Sequence, residues 1–307
     1  MKQIKIFSGR SHLQLAKETC QKLQIPLSSL AVKEYGSGCF EVIFEQSVSN
    51  NTVFLVQTSL PDPDCLEKHI WELFEMISFA KSCGAAEVIV VMPYASYSRS
   101  DRIHTEGMGI AAELFVKLLE CSGMTGFMGI DFHSERFKNF FSCKVYHLSA
   151  LDLLAKTLKE RNLENTLVLA ADKAALKKGS ILAQKLGVEF GRVEKKRISN
   201  TEVRIENIIG IGDFAQKQVI IFDDEIATGG TLKTLAEEVI KQGAKNIIFA
   251  VTHGLFVGDA VKSFQNIEKL TEIILTNTIP IKEQVKESLP LTILSVSNLL
   301  AEKIKEI

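Results

Sequence analysis

The 307-residue sequence contains one tryptophan, six prolines and no apolar run near 18 residues. Without such a run the chain is not expected to span a membrane. Its start shows no charged-then-apolar leader, so a reducing cytoplasm is the expected compartment. Six cysteines (Cys20, Cys39, Cys65, Cys83, Cys121 and Cys143) all lie in the first half and form no C-x-x-C pair. That spacing excludes a zinc ribbon and a dense disulfide framework. Charge of one sign is also missing, because 36 Lys and Arg face 37 Asp and Glu for a net charge of -1. No whole-chain field then draws nucleic acid or an anionic membrane, and neither is expected as a partner. An anionic ligand has to be held by local groups.

What is present is a globular composition, 46% apolar and 24% charged. At about 150 residues per domain the length suggests two domains, each able to bury its own core. Short β-rich apolar runs recur at residues 4–7, 53–56, 88–92, 126–130, 167–169, 219–222, 247–251 and 273–275, and they read as buried strands. Amphipathic stretches separate several of them. From Asp64 to Cys83, for example, Leu66, Ile70, Leu73, Phe74 and Ile77 share one helical face behind Asp64 as N-cap. Strands alternating with helices of this length imply an α/β fold with mainly parallel sheets. Glycine turns at Gly84 and Gly243 each close a helix and feed a buried strand, which suggests two similar halves, 1–147 and 148–307. Residues 39–44 alternate as an edge strand or small flap, and a last amphipathic helix through Leu299, Leu300, Ile304 and Ile307 could close over the first half.

The strongest chemical signal is VIIFDDEIATGGT, residues 219–231. Four apolar residues deliver Asp223 and Asp224 to a strand end, and Thr228, Gly229, Gly230 and Thr231 then turn tightly into a helix. Such a turn offers backbone N–H groups and hydroxyls to a phosphate. Carboxylates beside it accept hydrogen bonds from a diol, so the implied ligand is a sugar phosphate. A polar strand end with a Gly-rich turn is the plain structural alternative. No Gly-Lys-Ser/Thr closes the loop, so it is not a Walker A motif.

Three further segments are less decisive by themselves. In VMPYASYSRSDR, residues 91–102, a strand ends at Pro93 and a loop presents Arg99 and Arg102. Their guanidinium forks suit a triphosphate, although a structural Arg99 to Asp101 pair is an equal alternative. In GIDFHSER, Asp131 and His133 are two residues apart and share one side of an extended backbone. A single histidine at a strand end is more often structural than a metal ligand. The run Val193 to Arg197, VEKKR, usually reads as a solvated surface stretch.

The 219–231 segment resembles the phosphoribosyl-pyrophosphate loop of type I phosphoribosyltransferases and of ribose-phosphate pyrophosphokinases. Resemblance to the pyrophosphokinases also runs through IKIFSG, VMPYASYSRSDR, GIDFHSER, VTHGLFVGDA and NTIPI to the last helix, and so covers the whole chain. It implies two type I phosphoribosyltransferase-like domains and transfer of diphosphate from ATP, or another nucleoside triphosphate, to the C1 hydroxyl of ribose 5-phosphate. By the same resemblance Asp223, Asp224, Thr228, Gly229, Gly230 and Thr231 bind ribose 5-phosphate. Arg99, Ser100, Asp101 and Arg102, with a flap at Tyr35, Ser37 and Cys39, bind ATP. His133 and Asp172 would form a Mg²⁺ site, and Lys195 and Arg197 would stabilise the transferring phosphoryl groups. The family forms homo-oligomers, dimers that build up to hexamers, in which one subunit's flap completes its neighbour's nucleotide site.

Several positions depart from the family pattern. The flap, usually Phe-Ser-Asp-Gly-Glu, reads Tyr35-Gly36-Ser37-Gly38-Cys39 and so lacks both carboxylates. Ser100 replaces a glutamine, Ala227 replaces the acid before Thr228, and Ala174 and Ala175 replace glycines. Three readings follow: a divergent synthetase, a non-catalytic synthetase-like partner or regulatory subunit, and a phosphoribosyltransferase. Retention of His133, Asp172, Lys195 and Arg197 favours the first.

Overall fold

The structure, a computed structural model, describes residues 3–60, 66–103, 105–197 and 203–307, with side chains for all of these except 194–207. The chain divides into two compact units. One comprises Met1–Ser149, Thr278–Pro280 and Ser295–Ile307, and the other Ala150–Asn277 and Ile281–Leu294.

The first unit runs β1 (Ile4–Ser8), α1 (Leu13–Leu23), β2 (Leu30–Glu34), β3 (Phe40–Phe44), β4 (Thr52–Val56), α2 (Leu66–Ser82), β5 (Glu87–Val91), α3 (Ala111–Cys121), β6 (Gly126–Ile130) and β7 (Lys144–Leu148). Among the described residues its main sheet has the order β1-β4-β5-β6-β7, with every pairing parallel. The central strands β4 and β6 are buried along their whole length, which is why they appear in the sequence as unbroken apolar runs. Asp64, expected as the N-cap of α2, lies outside the described residues. Residues 39–44 do not pair with this sheet. They form an antiparallel ribbon with β2, which is the small flap and not the edge strand of the two readings.

The second unit runs α4 (Leu151–Lys159), β8 (Thr166–Ala170), α5 (Leu176–Leu186), β9 (Glu189–Arg197), β10 (Val203–Ile209), β11 (Gln218–Ile226), α6 (Gly230–Lys241), β12 (Asn246–Gly254), α7 (Ala260–Gln265), β13 (Leu270–Thr276), α8 (Glu283–Ser288) and β14 (Leu291–Leu294). Its sheet has the order β10-β9-β8-β11-β12-β13-β14 and is parallel except for the β9/β10 pair. The pleat sends successive side chains to opposite faces. Leu167, Leu169, Ile221, Phe249 and Leu275 meet Leu235 and Val239 of α6 and Phe264 of α7. Their sequence neighbours Val168, Ala170, Phe222, Ala250 and Ile274 meet Leu154 and Leu158 of α4 and Leu182 of α5. Helices cover both faces, as in a doubly wound α/β layer.

The last helix, α9 (Ser297–Lys305), belongs to the first unit and packs against α1. Leu300, Ala301 and Ile304 form its buried stripe, while Ile307 is exposed.

Candidate active site

In the second unit, β11 does not stop at Phe222 as the apolar run suggests. Parallel pairing with β12 continues through Asp223 opposite Val251 and Glu225 opposite His253, so the strand carries its acids as far as Ile226. After Ile226 the main chain is held by the 255–257 segment, whose N–H groups donate from Leu255 to the Ile226 carbonyl at 2.8 Å and from Val257 to the Ala227 carbonyl at 3.1 Å. Gly229 then caps α6 at φ 75°, in the left-handed region. A Cβ there would also sit 2.5 Å from the Phe264 ring, so glycine is required on two grounds. No side chain caps α6. Its first-turn N–H groups, which lack intrahelical partners, are thus available to an anion between Thr228 and Thr231.

Asp223 is almost wholly buried, and its Oδ1 accepts the Asp224 N–H at 3.0 Å. Burial, followed by the neighbouring charges of Asp224 and Asp172, raises its carboxyl well above the usual carboxylate range. Asp172 follows β8 and accepts the Ala175 N–H on Oδ1 at 2.9 Å. The structure therefore brings Asp172, Asp223 and Asp224 together electrostatically at one end of the sheet, where open α/β sheets place ligands. Lys195 and Arg197 lie on β9, opposite Ile205 and Val203 of β10, but their side chains lie outside the described ones.

In the first unit, the loop after β5 folds as a short 3₁₀ turn over Ser96–Arg99, and Tyr97 packs on Phe115 of α3 with ring centroids 5.5 Å apart. Arg99 and Arg102 are exposed, whereas Asp101 is buried. Asp101 pairs with Arg102 through Nε at 2.9 Å. Burial pushes the Asp101 carboxyl up, but hydrogen bonds from Arg102 and Ser134 and the nearby Arg136 charge outweigh it and hold it below its usual range. The geometry suits Asp101 to orienting Arg102, whose Nε it occupies.

The segment after β6 does not have the extended backbone expected for it. Asp131 has φ 43°, so its side chain and that of His133 do not follow strand alternation. Asp131 is buried and accepts Ser149 Oγ at 2.9 Å. Gly129 makes this bend possible, since a Cβ there would lie 2.3 Å from the Phe132 ring. His147, on β7, stands outside every motif of the sequence. Its Nε2 accepts the Phe132 N–H at 3.1 Å and its ring stacks on Phe132 at 4.4 Å, which fixes the main chain between Asp131 and His133. The flap tip, Tyr35 to Cys39, is a tight turn closed by Tyr35 N–H to the Cys39 carbonyl at 2.9 Å. Tyr35 Oη donates to Glu41 at 2.6 Å, and Glu41 lies on the exposed face of β3. One carboxylate is therefore present on the flap, two residues beyond the family position.

Two phosphoribosyltransferase-like α/β units, one carrying an acid pair ahead of a Thr-Gly-Gly-Thr helix start, define a class of proteins that handle phosphorylated pentoses. Residues 4–123 match the family model for the N-terminal domain of ribose phosphate pyrophosphokinase, and residues 193–307 match the phosphoribosyl synthetase-associated domain. The ribose-phosphate pyrophosphokinase of Deinococcus radiodurans is 34% identical over 307 residues, covering 98% of this chain and 94% of its own. That of Wolinella succinogenes is 34% identical over 310 residues, covering 100% and 96%. The crystal structure of phosphoribosylpyrophosphate synthetase from Mycobacterium smegmatis superimposes with a TM-score of 0.90 at 29% identity, over 99% of this chain and 98% of that one. The chain belongs to the ribose-phosphate pyrophosphokinase family.

Proposed function

We propose that the protein transfers the β,γ-diphosphoryl group of ATP to the C1 hydroxyl of ribose 5-phosphate, giving phosphoribosyl pyrophosphate and AMP. The observation that carries this reading is the uncapped start of α6 behind Asp223 and Asp224, in a chain similar to the pyrophosphokinases over its full length. The Thr228 to Thr231 turn holds the 5-phosphate, and the acid pair accepts hydrogen bonds from the ribose hydroxyls. Arg99 and Arg102 grip the triphosphate, with the Arg102 guanidinium preset by Asp101. The C1 oxygen attacks the β-phosphorus, the bond from that phosphorus to the α-bridging oxygen breaks, AMP leaves and the hydroxyl proton passes to solvent. Lys195 and Arg197 neutralise charge gathering on the transferring phosphoryl oxygens.

Among the described residues no group of three or more His, Cys, Asp or Glu side chains could hold a metal ion. Mg²⁺ is usually bound through one or two carboxylates together with substrate phosphates and water. The mutual repulsion around Asp172 and Asp223 is what such a cation would relieve. By the family resemblance, Asp172 and His133 would hold it. Bound Mg²⁺ would supply charge neutralisation on the phosphate oxygens. Among the described residues no helix is long and apolar enough to cross a membrane. The proposed setting is a cytoplasmic homo-oligomer built from dimers.

The test is turnover by purified protein given ribose 5-phosphate, Mg²⁺ and a panel of nucleoside triphosphates. Release of a nucleoside monophosphate is expected, most strongly from ATP. Absence of turnover in folded protein would refute the assignment, and consumption of phosphoribosyl pyrophosphate with free bases would replace it with a transferase.

A further inference from the structure

Arg10 follows β1 and lies outside every segment assigned to the reaction. Its backbone N–H and its Nε donate to the two oxygens of Glu72 at 2.7 and 2.6 Å. Glu72 sits on α2, fully buried, and also accepts Gln57 Nε2 at 3.2 Å. A buried carboxylate is strongly unfavourable unless paired, so Glu72 is a fixed anchor for this guanidinium. On its far side, Arg10 Nη1 pairs with Glu34, and Cζ lies 5.1 Å from the centroid of the Phe40 ring. The same pairing holds the Glu34 carboxyl below its usual range.

Glu34 and Phe40 are cross-strand partners on β2 and β3, the last pair before the Tyr35 to Cys39 tip. One side chain therefore ties both arms of the hairpin, at the base of its tip, to a buried point on α2. Glu75, about one helical turn beyond Glu72, adds a second tie by accepting the Val42 N–H at 3.1 Å. An isolated two-stranded ribbon is marginally stable in water, so these ties set where the tip can go. A tip held in one pose loses less entropy when a ligand orders it.

We propose that Arg10 is a positioning residue for the nucleotide, clamping the base of the β2–β3 hairpin so that the Tyr35 to Cys39 tip is preset for binding. This role rests on the reading of that tip as a nucleotide contact. Arginine is needed because its planar fork bonds in two directions and stacks on Phe40 at once, which a lysine ammonium does not do.

The experiment uses the full chain with two variants. Glu34→Ala cuts only the exposed half of the clamp and leaves Glu72 paired, so its folding is secure. Arg10→Lys keeps the charge against Glu72 and loses the fork. Amide hydrogen exchange and calorimetric binding of α,β-methylene-ATP are measured alongside kcat and the ribose 5-phosphate KM. Both variants should exchange faster over residues 30–44 alone and bind nucleotide roughly 5-fold more weakly, with kcat and the sugar-phosphate KM unchanged. Glu34→Gln, which retains an acceptor, should fall between Glu34→Ala and wild type. Unchanged hairpin exchange would overturn the clamp itself. Faster exchange with unchanged nucleotide affinity would overturn the positioning role by removing the tip from the nucleotide site. Wild-type protein that binds no nucleotide would overturn the parent reading and this role with it.

Discussion

Replacing Asp223 by Asn should make the unliganded protein more stable while abolishing its binding of ribose 5-phosphate. Asp223 lies buried beside two other acids, and its carboxyl is raised above the ordinary value of 3.8 by burial first and then by Asp224 and Asp172. The folded state thus binds this proton more tightly than the unfolded chain does. Stability is consequently lost as pH rises from about 4 through the folded pKa. Asparagine removes that cost. Its Oδ1 can still accept the Asp224 N–H, now at 3.0 Å, and its amide can donate to neighbouring carboxylates. Single stabilising substitutions commonly gain about 0.5–2 kcal/mol. About 1 kcal/mol would raise the Tm by roughly 2 °C in a chain of 307 residues. The assay is thermal unfolding in EDTA at pH 7.5 and again near pH 4, with calorimetry of ribose 5-phosphate binding. The stability gain should be present at pH 7.5 and shrink near pH 4. An unchanged or lower Tm at pH 7.5 would refute the reasoning about the acid cluster.

Other consequences can be checked in the same way. Gly229→Ala forces a Cβ into a backbone at φ 75° and against the Phe264 ring, so ribose 5-phosphate affinity should fall roughly 5- to 150-fold, as strain of about 1–3 kcal/mol implies. Full affinity in a titration would contradict the cradle. Arg161 donates to both oxygens of Glu272 at 3.0 and 2.7 Å, and that bond is the main reason the Glu272 carboxyl lies below its usual range. The pair's contribution is present above about pH 4.5 and is lost as pH falls through the folded pKa. Arg161→Met should cost on the order of 1 kcal/mol in urea unfolding at pH 7 and flatten the acid limb, since the guanidinium is partly exposed. An acid limb identical to wild type would show that Glu272 gains nothing from the pair. Lys195→Ala should lower kcat roughly 10²- to 10³-fold with ribose 5-phosphate binding intact, and an unaltered kcat would remove it from the reaction.

Most strands legible in the sequence are buried on both faces and leave apolar runs, as β4 and β8 do, while β3 shows through the alternation of its half-buried face. Strands β2, β7 and β14 are half-buried and neither alternate strictly nor form such runs, so they left no clear mark. Strand β11 extends past Phe222 because pairing with β12 outweighs the low strand propensity of Asp223 and Asp224. The phosphate-type turn was legible because its residues are contiguous. Arg10 with Glu72, and His147 with Phe132, were not, since each pairing joins separate elements and no local pattern encodes it. The alternation argument failed at Asp131 because it assumes extended backbone where φ is 43°.

The most direct test of the central claim is ³¹P NMR of a reaction containing ATP, ribose 5-phosphate, Mg²⁺ and the protein. The account predicts AMP and a diphosphate resonance attached to the ribose C1 oxygen, formed in equal amounts as the ATP signals decay. ADP as the nucleotide product, or no change in the spectrum, would contradict it.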